Sequence, residues 1–158
     1  MRELLKGKRK WIAAAVIAAM LVVFETVQYI RIERAISYAQ SCLDLKYKLG
    51  EAGPDRYDCS GLVKMSYAAC GKSMPHSAEK IGNNGWWLKI TSAGALRRGD
   101  IVCFDTEDDD DLSDHVGIYL GDGTFIHASS GKGKVVISEL KDYYAEHFSW
   151  ARRPILHI

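Results

Sequence analysis

The stretch "HVGIYLGDGTFIHAS" (residues 115–129) carries two runs of strand-forming residues around one turn. Val, Ile, Tyr, Phe and Thr flank Gly-Asp-Gly, a composition that suits a β-hairpin. A three-residue loop of Gly121, Asp122 and Gly123, with Gly123 left-handed, pairs Leu120 with Thr124, Tyr119 with Phe125 and Gly117 with His127. Side chains of one parity share a face of a strand. Val116, Ile118, Leu120, Ile126 and Ala128 therefore form an apolar face, and His115, Gly117, Tyr119, Phe125 and His127 form the other. The two imidazoles then sit one diagonal step apart, within side-chain reach. A two-residue loop would put them on opposite faces.

Outward from the hairpin, "IVCFD" (101–105), "KVVISEL" (134–140) and "SWARRP" (149–154) read as further strands. Upstream the texture is helical. Residues 30–46 lead into the domain. "CSGLVKMSYAAC" (59–70) places apolar residues near helical spacing, with Asp58 as a cap and Gly71 as a stop. "HSAEKIGNN" (76–84) reads as a second short helix, and "DYYAEHF" (142–148) as a helical turn. Helices first and antiparallel strands afterwards predict an α+β fold.

Cys59 stands at the start of the helix that Asp58 caps. Unpaired N–H groups and the helix dipole favour an anion there, which lowers a thiol pKa and makes the thiolate a nucleophile. The Cys59 N–H is placed to face a developing oxyanion, and the small residues Ser60 and Gly61 leave room for a substrate backbone. If this helix packs on the histidine face, Cys59 attacks, His115 takes its proton and His127 orients His115. The competing explanation is a Cys–His metal site, with Asp58 or Asp114 as the fourth ligand. The other cysteines, Cys42, Cys70 and Cys103, show no CxxC spacing and dictate no disulfide connectivity. Cys70 and Cys103 read as small buried hydrophobes; Cys42 is left unassigned.

The chain is 47% hydrophobic and 26% charged, too apolar for disorder and too charged for a polytopic membrane protein. Residues 1–10 carry a net charge of +4, so the rest, at −3, offers no basic face for nucleic acid. The basic opening runs into "WIAAAVIAAMLVVF" (11–24), fourteen apolar residues before Glu25, extensible through "TVQYI" to about twenty. No clean small-x-small cleavage site follows. Residues 1–30 are therefore read as a signal-anchor, with residues 31–158 as the domain it holds outside the cell membrane. Cleavage of that segment would give a secreted protein.

"YDCSGLV" (57–63), "MPHSAEK" (74–80), "LRRGDIVCF" (96–104), "HVGIYLGDGTFIHAS" (115–129) and "ARR" (151–153), in this order, resemble the NlpC family of bacterial cell-wall cysteine endopeptidases, with a papain-like core. The resemblance covers roughly residues 35–153. It implies a catalytic set of Cys59, His115 and His127, with no metal or organic cofactor required. It also implies that Tyr57 lines the oxyanion site and that Asp58 and Ser60 hold the substrate. The implied substrate is the peptidoglycan stem peptide, cut most often between D-glutamate and the diamino acid. A wall amidase, another thiol acyltransferase or an anchored non-catalytic wall-binding module would fit the same scaffold. "YKLGEAG" (47–53) departs from the family by lacking its tryptophan and second glycine. The acidic run "DTEDDDDLSD" (105–114) would favour the imidazolium form of His115. Trp86 and Trp87 either flank the cleft or pack in the core.

Overall fold

The computed structural model describes residues 2–106 and 113–156, with side chains from residue 8 onward. One continuous helix, α1 (Arg2–Ser41), opens the chain. Apart from the half-covered Glu25 and Gln28, its residues 8–30 are exposed. From Ile32 on, a stripe of Ile32, Ala35, Ile36 and Ala39 is buried in the domain. That i, i+3, i+4, i+7 spacing gives the last three turns one apolar face, so the helix enters the core without a break.

Strands β1 (Lys46–Tyr47) and β2 (Arg56–Tyr57) follow, then α2 (Cys59–Ala68), α3 (Ala78–Gly82) and β3 (Leu88–Ile90). A 3₁₀ turn over Ala93–Ala95 leads to β4 (Ile101–Phe104), β5 (His115–Gly121), β6 (Thr124–Ser129) and β7 (Lys134–Glu139). The short helix α4 (Tyr143–Glu146) and β8 (Phe148–Arg153) complete the order. All eight strands form one sheet, β2-β1-β7-β6-β5-β4-β8-β3, antiparallel except for the β1–β2 pair. The α+β expectation holds, as do the positions of α2, α3 and the late strands.

Both faces of the sheet are covered. Helices α2 and α3 pack on Ile101, Cys103, Val116, Ile118, Ile126 and Ala128, and α1 packs on α2. The other face holds an aromatic cluster of Phe104 and Phe125 with Tyr144 and Phe148. This is why all four residues of β4 are buried instead of alternating. The Arg153 guanidinium closes the far end on Asp100, with bonds of 2.7 and 2.8 Å.

The β5–β6 turn differs from the three-residue loop. Gly121 pairs with Thr124, leaving Asp122 and Gly123 as a two-residue turn. Both are left-handed, with φ of 49° and 70°, as such a turn requires. A register shift between Tyr119 and Gly121 adds one residue to β5. That bulge restores the parity, so Tyr119 still pairs with Phe125 and the two histidines still share a face. Cys70 and Cys103 are buried as expected; Cys42 is also in the core, and all four thiols are free.

Candidate active site

Asp58 is extended and caps α2, its carboxylate accepting the Gly61 N–H at 2.6 Å. Cys59 is thereby the first helical residue. It is almost fully buried. The amide N–H groups of Val116, Ser60 and Cys59 itself face its sulfur and favour the anion. Burial and the Asp58 charge act the other way, and burial is the largest effect, so the thiol pKa is pushed up to about 11. The expected lowering is reversed: the helix terminus is there, but desolvation outweighs it. The resting sulfur is a thiol at neutral pH.

His115 opens β5, opposite Phe104 of β4. It stands one residue from Val116, whose amide faces the sulfur. Its Nε2 lies 2.7 Å from His127 Nδ1, with the rings nearly perpendicular. His127 is fully buried, and its Nε2 lies 2.9 Å from Ser138 Oγ. The rings of Phe125 and Tyr144 pack against it. Gly117 permits this approach. A methyl group there would press on the Phe125 ring, the Ile126 carbonyl and His127 Cβ. A polar cavity of about 260 Å³ opens beside His115, lined by Thr106, Ser129, Ser130, Gly131, Tyr143 and Tyr144.

The route by which Cys59 meets this strand differs from the expected one. α2 packs on the Val116 face of β5, not on the histidine face. The sulfur reaches the strand's own backbone at Val116 instead. Gly61 leaves room not for substrate but for the chain itself, since its missing Cβ is filled by the Glu51 carbonyl oxygen and Ala52 Cα.

Asp58 has more partners than a cap needs. Its Oδ1 accepts from Ser60 Oγ at 3.0 Å, its Oδ2 from the Gly50 N–H at 2.7 Å, and His76 Nε2 lies 3.0 Å from both oxygens. Ser60 is thus turned onto Asp58. Tyr57 is buried, and its hydroxyl lies 2.9 Å from that of Tyr38 on α1 and against Gly53. Sequence reasoning singled out neither His76 nor Ser138. His76 stood inside a quoted motif, and Ser138 lies in an alternating strand, but neither spacing reveals the partner. Trp86 is exposed and Trp87 packs partly on the core. The metal-site alternative finds no group of three or more His, Cys, Asp or Glu suitably arranged among the described residues.

Burial lowers the His115 pKa to about 4 and the His127 pKa to about 3. Asp114 does raise His115, as expected of the acidic run, but burial wins. Residues 107–112 of that run lie outside the described residues. Depressed histidine pKa values mean that the unfolded chain binds protons between pH ~6.5 and ~4 that the folded chain does not. Stability is therefore full above pH ~6.5 and falls with the pH through the folded values. Between pH 7 and pH 5, His127 should cost about 2 kcal/mol and the partly covered His115 less. Urea unfolding at the two pH values checks this, with His127→Gln expected to flatten the difference. An equally steep dependence in that variant would refute the assignment.

The NlpC/P60 family model matches residues 44–153. The peptidoglycan DL-endopeptidase CwlO of Bacillus licheniformis is 35% identical over 135 residues, which are 79% of this chain and 28% of that protein. The murein DD-endopeptidase MepS/murein LD-carboxypeptidase of Escherichia coli is 33% identical over 110 residues, 69% of this chain and 55% of that protein. The solved structure of NlpC1 from Trichomonas vaginalis superposes with a TM-score of 0.69 at 35% identity, covering 77% of this chain and 43% of that one. The chain thus spans little more than a quarter of the first relative and about half of the second.

Proposed function

The chain belongs to the NlpC/P60 family, and from that premise we propose that it is a membrane-anchored cysteine endopeptidase of the bacterial cell wall. Its substrate is the peptidoglycan stem peptide, cut between D-glutamate and the diamino acid. The observation that carries this reading is the buried thiol at the α2 terminus, faced by amide N–H groups that include Val116 of β5, next to His115, whose ring is hydrogen-bonded to His127 on β6.

In the proposed mechanism both partners start neutral. His115 takes the Cys59 proton as the sulfur attacks the scissile carbonyl. The amides around the sulfur, that of Cys59 first, receive the oxyanion. His115 then gives the proton to the leaving amine. A water activated by the same ring hydrolyses the acyl-enzyme. His127 accepts from His115 and steadies the transient imidazolium. Tyr57, expected at the oxyanion site, has its buried hydroxyl engaged with Tyr38. Asp58 fixes the wall of the site and sets a negative charge beside Cys59, which suits a substrate ammonium. Ser60, turned onto that carboxylate, would meet the peptide stem with it.

Helix α1 is the membrane part of the proposal. Its span from Lys8 is long and apolar enough to cross a bilayer, and its preceding cations favour an inside N-terminus. The experiment combines both parts. Carbonate-washed membranes carrying the full chain are incubated with purified muropeptides. A new free amino group on the diamino acid is the expected product. Cleavage at the sugar–peptide linkage would point to an amidase, and protein lost to the wash would remove the anchor.

A further inference from the structure

We infer that Ser138 is a positioning residue of this site: it accepts the Nε2–H of His127 and thereby selects the histidine tautomers that leave His115 Nδ1 free to take the Cys59 proton. This rests on the reading of Cys59 and His115 as nucleophile and base.

The argument is proton counting. At neutral pH each imidazole is neutral, because burial lowers both pKa values, so each ring carries one N–H. The single contact between the rings, His115 Nε2 to His127 Nδ1 at 2.7 Å, needs one donor and one acceptor. If His127 donates, His115 carries its proton on Nδ1 and has no lone pair for a thiol. If His115 donates, its Nδ1 is free, and His127 must hold its own proton on Nε2. His127 is fully buried, so that N–H needs an acceptor. Ser138 Oγ, at 2.9 Å, is the near one; the Tyr144 hydroxyl is at 3.5 Å.

Ser138 is half-buried, so its own O–H can donate to solvent while its oxygen accepts from His127. The direction that leaves His115 Nδ1 bare is His115 Nε2–H to His127 and His127 Nε2–H to Ser138. The same direction is needed after proton transfer. The new imidazolium keeps its Nε2–H on His127 and holds the sulfur's proton on Nδ1. The strands make the geometry. Ser138 pairs with Phe125 and Val136 with His127, so Ser138 is a diagonal neighbour of His127 on the same face.

The test uses the full chain in detergent with imidazole-nitrogen labelling. In the wild type, the nitrogen NMR spectrum of His127 is expected to show one neutral tautomer, protonated at Nε2. In Ser138→Ala it should become a mixture, and kcat on muropeptides should fall about tenfold to a hundredfold with KM little changed. Ser138→Thr keeps the hydroxyl and should restore both signals. A wild-type spectrum and kcat in Ser138→Ala would overturn the inference, as would a single Nδ1–H tautomer in the wild type. The spectrum does not depend on turnover, so an inactive wild type would count against the proposed function alone.

Discussion

Cys59→Ala is expected to abolish muropeptide hydrolysis, lowering kcat by at least about 10⁴-fold, while the protein stays folded. The chemistry in the proposal begins and ends on that sulfur, so without it His115 has no proton to take and no acyl group forms. The fold is not at risk. The helix start is held by Asp58, not Cys59, through the bond to the Gly61 N–H. Loss of one buried sulfur leaves a gap at the rim of the core, a cost of about 1 kcal/mol. Circular dichroism should therefore match the wild type, with Tm lower by only about 2–4 °C. Cys59→Ser is expected to fail nearly as badly. The site already holds its thiol protonated through burial, and a hydroxyl is far harder to deprotonate with the same neutral imidazole. Hydrolysis at the wild-type rate in Cys59→Ala would place the nucleophile elsewhere. Cleavage absent from both proteins, with muropeptide binding retained, would favour the non-catalytic wall-binding alternative.

The resting protonation pattern also explains why the histidine pair matters. With the thiol near pKa 11 and the imidazoles near 4 and 3, all three groups are neutral at rest. In the proposed mechanism the charge appears during attack, when substrate and the amide N–H groups share it. That proposed separation of charge is transient and depends on which imidazole nitrogen is bare.

Local rules made much of this legible in the sequence. The Asp58 cap, the α2 helix, the strand order after residue 100 and the shared face of His115 and His127 all follow from spacing and turn chemistry. The histidine parity came out right through a different device, since a two-residue turn plus a bulge at Leu120 replaces the three-residue loop. What spacing could not give was long-range. With both faces of the sheet apolar, alternation does not say which one α2 covers. The thiol's helix-terminal place is visible in sequence, but the burial that overrides it is a property of the packed chain. Ser138 and His76 gain their meaning from partners 11 and 18 residues away. Strands β1 and β2, two residues each, are too short to carry a period. That the anchor and the lead-in of residues 30–46 form one continuous helix, α1, entering the domain at Ile32, came from the packed structure.

Gly61→Ala should damage stability and catalysis together. The position is helical and needs no unusual backbone angle, so the cost comes from space. A Cβ there would overlap the Glu51 carbonyl oxygen and sit 3.0 Å from Ala52 Cα and 3.1 Å from Asp58 Oδ1. Two of these are backbone atoms, which cannot swing aside as a flexible side chain would. The Glu51 carbonyl is itself tied to the Asp58 N–H at 2.8 Å, so retreat of that segment pulls on the residue before Cys59. Overpacking of this kind costs about 3 kcal/mol, a fall in Tm of about 10 °C. Well below the new Tm, kcat is still expected to drop about a hundredfold, because small misplacements of a reacting group cost that much. Gly71→Ala separates space from backbone strain. Gly71 has φ +76° with nothing within 4 Å of the added methyl, so it should lose about 1–2 kcal/mol from the left-handed conformation and keep its kcat. If Gly61→Ala lost stability alone and turned over like the wild type, the close approach of Glu51 would be packing only, and the α2 terminus would not be what holds the sulfur in place.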